Sequence, residues 1–556
     1  MKQKIFFPLI ALLLFPVAMN AQHLFPEDEL SYVYRYSASE LESAENLDSV
    51  FGYYEYGNNY YDNFEDSTQA SLEVLKCRNL QVLELHDVLS SELLSHLDEF
   101  PMLQVLVLDN VGMATIPEEI YALKNLKQLE IRRMDELWFD PSRFDGSGIH
   151  RLVMSNITTR IMSDEGNPIA LQLDLFPNLT ELILGNEMSD IPESLYELKQ
   201  LKHLEIYGAG LSEISPSIGS LVNLEYLNLS SNEGLETLPD EMGSLVNLTE
   251  LNLNGCAFSE LPACLGDLTG LVSLDVQYNP LVSLPEFAGN WVNLQHLYIS
   301  NTGISELPAS LSNCVNLYTL YMYYCQLTEF PSAILGCTSL SDLDLSANAI
   351  TVIPSGLSRL TSLTTLDLSN NPIRLVEPGA FNLPSLYSLR MTGCPLHRIP
   401  AGIEGLAGLQ YLDLSNDSIA SIDKNLFLLS NLRSLNLSMN QITEVPAGIA
   451  TLSLLFDLSL GENKLTALPK DLVKLTELMY LTVNDNQLKK LPKGLGKMPQ
   501  LGTIDLRGNK NIALSKDLAK LPNLYEVRLR PDDLDEKAWE KLRGWVGPEK
   551  AVPYEY

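Results

Sequence analysis

One pattern of about 23 residues, repeated from residue 80 nearly to the end, constrains this chain more than any other feature. Leu340-Ser-Asp-Leu343-Asp-Leu345-Ser-Ala-Asn348-Ala-Ile350 returns as Leu363-Thr-Thr-Leu366-Asp-Leu368-Ser-Asn-Asn371-Pro-Ile373, and again as Leu432-Arg-Ser-Leu435-Asn-Leu437-Ser-Met-Asn440-Gln-Ile442. With the first leucine as position 0, units begin at 80, 103, 126, 149, 179, 201, 224, 248, 271, 294, 317, 340, 363, 386, 409, 432, 455, 478, 501 and 524. That makes twenty units, and the last thirteen starts are spaced by 23 without exception. A period in this range marks a solenoid, in which each unit packs only on its neighbours. An array over 80–530 therefore accounts for the length, in place of about three or four separate globules.

The spacing within a unit dictates its local structure. Leucines at positions 3 and 5 alternate with polar residues, so each unit supplies a short strand with its leucines facing inward. One strand per unit, always in the same sense, stacks into a parallel sheet. Asn at position 8 turns inward, where its amide can satisfy backbone groups at the bend. Asn232, Asn279, Asn348, Asn371, Asn440, Asn463, Asn486 and Asn509 hold that place. Nineteen steps of about 4.8 Å give a sheet roughly 90 Å long.

These residues resemble the leucine-rich repeat family, whose signature is L-x-x-L-x-L-x-x-N/C-x-L. Most units also carry an apolar-Pro pair near position 14, as in Leu261-Pro262, Leu307-Pro308, Ile353-Pro354, Val445-Pro446 and Leu491-Pro492. The variant is similar to Ras-related, plant-resistance-like and secreted bacterial members. The resemblance implies an α/β solenoid, a horseshoe of about twenty repeats. Its parallel sheet would line the concave face, with short helical or irregular segments on the convex side. It implies no particular ligand, because the family binds many unrelated partners.

The ends are expected to be special. Residues 1–21 read as a secretory signal peptide: Lys2 and Lys4, an apolar run Ile5–Met19, and Ala18-Met19-Asn20-Ala21 before Gln22. A membrane anchor is the alternative, but fifteen residues reach only about 22 Å as a helix, and Pro8 and Pro16 interrupt them. Export to the periplasm, the cell surface or the medium follows. Residues 22–79, with eight Tyr, three basic and twelve acidic residues, are expected to form an amino-terminal cap. Residues 531–556 are expected to cap the other end, with Asp532–Val546 an amphipathic helix presenting Trp539, Leu542 and Trp545. The step of 30 residues between 149 and 179 predicts a protruding loop within residues 157–178.

No residue pattern here supports catalysis. The seven His are scattered, and H-E-x-x-H, G-x-S-x-G and Walker-type loops are missing. Asp145-Gly-Ser-Gly148 is too short and isolated to argue for Ca²⁺. Of seven Cys, Cys256, Cys325 and Cys394 fall at position 8, while Cys77, Cys314 and Cys337 fall three residues before a unit start, a column otherwise filled mainly by Leu. Both columns are core, so these read as buried thiols, with Cys314–Cys337 the one pair placed for a bond. No C-x-x-C spacing appears, and neither a metal nor a cofactor is expected. Triplets such as Asn228-Leu-Ser230 arise from the repeat itself and do not argue for glycosylation.

Function is therefore sought on the sheet face, at positions 2, 4, 6 and 7. Three consecutive units place Tyr278, then His296 and Tyr298, then Tyr321, Tyr323 and Tyr324 there, with Tyr318 at the edge. Tyrosine gives rigid contact area with a polar tip, which suits an interface; its β-propensity is the plain alternative. Position 4 continues the row with Asp275, Asp344 and Asp367, suited to a basic or hydroxyl-rich partner unless Asp is simply a solvated choice. A second feature is basic: Lys470/Lys474, Lys493/Lys497 and Lys516/Lys520 occupy positions 15 and 19 of successive units, either a patch for an anionic surface or a solvated face.

Charge refines this. Lys and Arg number 37 against 71 Asp and Glu, a net −34 that excludes general nucleic-acid binding. The excess is uneven: residues 23–358 hold 49 acidic and 12 basic residues, residues 359–556 hold 22 and 23. Between His203 and Ser358 there is no Lys or Arg. The expected function is secreted, non-catalytic recognition of a protein partner by the concave face, or alternatively of a surface or envelope glycan.

Overall fold

The computed structural model describes residues 24–41, 47–56, 69–112, 118–134, 146–157, 173–186, 191–551 and 553. The signal-peptide segment and residues 158–172 of the expected loop lie outside them. The chain divides into two compact units, Met1–Leu235 and Glu236–Tyr556.

In the amino-terminal unit, each sequence repeat supplies one parallel strand beginning at position 2: Val82–His86, Val105–Asp109, Gln128–Met134, Arg151–Ile157, Glu181–Gly185, His203–Tyr207 and Tyr226–Asn228. Register pairs leucine with leucine, Leu83 with Leu106, Leu129, Leu152, Leu182, Leu204 and Leu227 in turn. All seven are buried. Two more strands, Arg35–Tyr36 and Gly52–Tyr56, continue the pairing into the segment before residue 80, Gly52 lying beside Val82.

The carboxy-terminal unit holds thirteen three-residue strands, from Glu250–Asn252 to Glu526–Arg528, with the same ladder running from Leu251 through Leu274 and Leu297 to Ile504 and Val527. Each buried leucine contributes about 1.5–3 kcal/mol relative to exposure, so a ladder of this length is the main source of stability. Away from the strands the chain makes five-residue 3₁₀ turns. Pro262, Pro285, Pro308, Pro354, Pro446 and Pro469 sit immediately before such turns with extended ψ near 150°, which suits proline where no amide donor is needed.

The carboxyl end is closed by the helix Glu536–Val546, which starts later than the sequence suggested because Asp535 caps it, accepting from the Ala538 amide at 2.7 Å. Trp539, Leu542 and Val546 are its buried positions. Trp545, expected inward, is only half-buried, and Val546 takes the inward place one residue on. The Val527 amide donates to Lys550 at 2.7 Å and Leu529 bridges Pro553, so the last strand's edge is covered. All seven cysteines are free thiols, Cys314 and Cys337 included. Burial pushes Cys314 up to about 11 and Cys337 and Cys394 up to about 12, so they are inert hydrophobes at neutral pH.

Position 8 is the second structural column. Asn371 is typical: Nδ2 donates to the Leu345 and Leu368 carbonyls at 2.9 and 3.0 Å, and Oδ1 accepts from the Ile350 amide at 3.0 Å. Asn279, Asn348, Asn440, Asn463, Asn486 and Asn509 repeat this set. In the amino-terminal unit Val88, Val111, Met134 and Ala209 fill this place without a side-chain donor, but in the carboxy-terminal unit the residues that replace Asn bring a hydrogen: Thr302 donates to Ile299 at 2.9 Å, Cys325 to Ile299 at 3.3 Å and Cys394 to Leu368 at 3.2 Å. Asp417 is the exception. It is fully buried, and neither carboxyl oxygen has a hydrogen-bond partner. Burial pushes its pKa up to about 8; the Cys394 amide, which donates to Met391, offsets only part of that, and Asp413 adds to it.

Asp417 thus makes stability depend on pH. Its folded pKa lies above the ordinary carboxyl value, so the native state keeps a proton that the unfolded chain releases above about pH 4. Stability is fullest below that and is lost as pH rises towards 8. Asp417→Asn restores the donor column. It should raise stability at pH 8 by about 1–3 kcal/mol and flatten the decline between pH 5 and 8, read from urea-unfolding midpoints.

Candidate functional site

Position 4 of the carboxy-terminal unit has a local role that the sequence did not disclose. Asp275, Asp344, Asp367 and Asp413 each accept, through Oδ1, the amide of the residue two further on: Gln277 at 3.0 Å, Ser346 at 2.8 Å, Ser369 and Ser415 at 2.9 Å. Asn252 and Asn436 do the same. Such a side chain takes that amide from the ladder; strands with Tyr298, Tyr321, Arg390, Ser459, Thr482 or Arg528 at this position are three residues long as well. In the first six repeats of the amino-terminal unit position 4 holds Glu84, Val107, Glu130, Val153, Ile183 and Glu205, and those strands run for five to seven residues; the seventh holds Asn228, which accepts the Ser230 amide at 2.9 Å, and its strand is three residues long.

Position 7 takes a left-handed backbone in both units, Asp87, Asn110 and Arg133 included. Gly255, Asn301, Asn370, Gly393, Asn416 and Gly508 are there, all suited to φ near 55–75°. Tyr278 at φ 55° and Tyr324 at φ 50° share the column, although a bulky side chain is disfavoured in that region. Both rings stand in solvent, 55% and 65% exposed.

The strands bring the remaining expected residues together. Register sets Asp275, Tyr298, Tyr321, Asp344 and Asp367 side by side in one row. Tyr298 and Tyr321 meet edge to face at 5.4 Å, and His296 lies 6.4 Å from Tyr298 and 6.3 Å from the half-exposed Tyr318. Tyr323 and Tyr324 are 6.2 Å apart. His296 is held by Thr319 at 3.1 Å, and the Tyr321 hydroxyl donates to Asp342 at 2.9 Å. Asp342, at position 2, was missed in the sequence although it stands two residues before Asp344. Ser300, also missed, is buried and accepts the Tyr323 amide at 3.1 Å.

Burial, then the Asp342 bond, pushes the Tyr321 hydroxyl up to about 12; burial, then Tyr278, does the same for Tyr323. The face therefore presents protonated phenols at neutral pH. Asp275 and Asp344 are raised by burial against the amides that hold them. A carboxylate in this state gains from an approaching cation. The face can thus offer flat rings, phenolic hydrogens and partly desolvated carboxylates, which suits binding.

The lysines are stacked elsewhere, on the turns Lys470–Lys474, Leu495–Lys497 and Lys516–Lys520. Lys474 pairs with Asp471 and Lys520 with Asp517, each at 2.8 Å. Lys493, Lys497, Lys520 and Asp517 line a cleft of about 380 Å³. Among the described residues, no group of three or more His, Cys, Asp or Glu could hold a metal.

Family models of leucine-rich repeats match residues 223–245, 247–268, 292–335, 338–396 and 422–547, the last as a leucine-rich repeat region. The chain is a leucine-rich repeat protein. A curated relative, the mouse volume-regulated anion channel subunit LRRC8B, is 29% identical over 171 residues, 29% of this chain and 20% of that one. The chain thus spans about a fifth of that relative's length. A leucine-rich repeat protein of Leptospira interrogans matches with TM-score 0.61 and 29% identity over 69% of this chain and 92% of that one. The Arabidopsis receptor kinase HAESA, solved with the peptide hormone IDA and the co-receptor SERK1, matches with TM-score 0.54 and 22% identity over 90% and 87%. That likeness is one of fold. Among the described residues, no helix is long and apolar enough to cross a membrane.

The Asx bond separates two roles for Asp344. Asp344→Asn should keep the Ser346 bond and leave the thermal midpoint near wild type, as Asn252 and Asn436 already serve in this column. Asp344→Ala should cost about 1 kcal/mol. Equal midpoints for the two variants in a thermal melt would contradict the structural role of that bond.

Proposed function

We propose that this leucine-rich repeat protein is exported, has no catalytic activity, and recognises a protein partner on the sheet face of its carboxy-terminal unit. The observation that carries the reading is the placement of Tyr278 and Tyr324. Both occupy left-handed positions where Gly or Asn costs less, and both leave their rings exposed. Neither ring is there to fill a core. Ala347, Met439 and Glu462 take the same backbone state, so it belongs to the repeat; what sets these two positions apart is exposed aromatic area, which points to contact with something outside the chain. Tyr298, Tyr321, Tyr323 and Tyr318 extend that area, and Asp344 beside them offers a carboxylate to a basic group, while Asp275 is shared with Asn254 and Gln277 and Asp367 with Arg390. The absence of Lys and Arg from His203 to Ser358 leaves these carboxylates to attract a cationic partner surface. Export rests on the leader-like residues 1–21.

Tyr278→Asn together with Tyr324→Asn separates binding from folding by sign. Removing two disfavoured backbone states should raise the thermal midpoint, by about 0.5–1 kcal/mol per site, while capture of the partner from native extract is lost. Capture unchanged at the higher midpoint would sink the proposal. A glycan ligand is the second reading, since tyrosine rings also stack on sugar faces. Saturable glycan-array hits lost in the same variant would favour it. The lysine turns are a weaker glycan surface, because Asp471 and Asp517 already neutralise two of the six.

A further inference from the structure

The sheet face of the amino-terminal unit is built differently and is not open. Val82, Val105 and Val107 occupy outward positions 2 and 4, yet all three are buried. Their cover is the chain's own segment Phe25–Val33, whose Leu30 and Val33 close over them with Phe25 and Phe51 alongside. Glu27–Tyr32 forms a 3₁₀ turn, in which side chains three apart eclipse. Glu27, Leu30 and Val33 therefore fall in one row.

The segment is gripped in two ways. Gln81 and Gln104, both buried at position 1 of successive repeats, read its main chain. The Phe25 amide donates to Gln81 Oε1 at 2.8 Å, and Gln104 Nε2 donates to the Phe25 carbonyl at 3.0 Å and to Gln81 Oε1 at 2.7 Å. Charge fixes the ends: Glu27 pairs with His150, and Arg35 with Glu84 at 2.6 Å. The fit is incomplete. A cavity of about 480 Å³ remains beside the turn, lined by Glu27, Leu30 and Ser31 on one side and by Val105, Glu130 and Arg151 among others on the sheet. One short turn with partly exposed ion pairs opens more easily than strands whose leucines form the core.

We propose that Phe25–Val33 is a displaceable strap seated in a peptide-binding groove. The groove's ligand in trans is a short peptide of the same chemistry: an acidic residue, then apolar residues three and six positions on, then a base. The glutamine clamp holds the main chain of whichever peptide enters, and the valine floor selects the two apolar side chains. This groove is distinct from the tyrosine face and does not depend on that reading.

The test uses the full chain and a fluorescent peptide of residues 22–36, which includes Arg35. With Leu30→Ser and Val33→Ser in the chain, its own strap should vacate the groove. The peptide should then bind saturably, at least about tenfold more tightly than to the wild-type chain, where the tethered segment competes. Adding Gln81→Ala and Gln104→Ala to that variant should abolish binding. No saturable binding to the strap variant, or equal affinity for it and the wild type, overturns the proposal. Hydrogen exchange on the unaltered chain keeps it testable if the variant folds poorly. Amides of Phe25–Val33 should exchange at least about 100-fold faster than those of Val105–Asp109; equal protection overturns the strap.

Discussion

A chain that turns back every 23 residues leaves carbonyls and amides at each bend that neither the sheet nor the 3₁₀ turns can satisfy. In the carboxy-terminal unit the column at position 8 resolves this, and the placement of every coil there depends on it; the amino-terminal repeats, with Val88, Val111, Met134 and Ala209 in that place, fold without it. Each Asn there ties its own bend to the preceding coil through carbonyls 26 and 3 residues back and an amide 21 residues back. Unpaired, those groups would each cost about 1–3 kcal/mol once buried. The leucine ladder supplies the larger free energy, but it is non-directional and would tolerate slippage. The asparagine column fixes where each coil bends and so which residues reach the surface.

That requirement is for a donor, not for asparagine as such. Thr302, Cys325 and Cys394 meet it with one hydrogen apiece, which explains why thiols belong here without forming bonds to one another. Asp417 has a hydrogen to give only while protonated, and in the structure neither of its oxygens has a partner. The chemistry of the column therefore turns a conservative-looking replacement into the least comfortable residue of the unit.

Much of this was legible beforehand for a physical reason. Leucine spacing, the donor column and the proline before each turn are periodic, and periodicity survives without coordinates. All twenty sequence units have their strand at position 2. The two additional strands were hidden because their slots are filled differently. At Gly52–Tyr56, Val50, Tyr53 and Glu55 stand where leucines would, with the Tyr53 hydroxyl donating to Glu55 at 2.6 Å inside the core. The left-handed column was also invisible, since Tyr, Asn, Gly, Met and Glu all occupy it and share no side-chain property. The tyrosine cluster could be assembled from register alone. What the aspartates beside it do could not, because an Asx bond and a solvated carboxylate look alike in a string of letters.

The two sheet faces differ in what their outward positions carry. Strands of the carboxy-terminal unit stop after three residues, some with an Asx bond at position 4 and others with Tyr, Arg, Ser or Thr there. In the first six repeats the ladder runs on for five to seven residues, and an outward valine needs cover. The run Val105-Leu106-Val107-Leu108 already carries that message, since a strand apolar on both faces is buried on both. One unit leaves a face of tyrosine rings open to solvent. In the other, the outward valines Val82 and Val105 at position 2 and Val107 at position 4 are apolar, and the chain draws its own Phe25–Val33 across them.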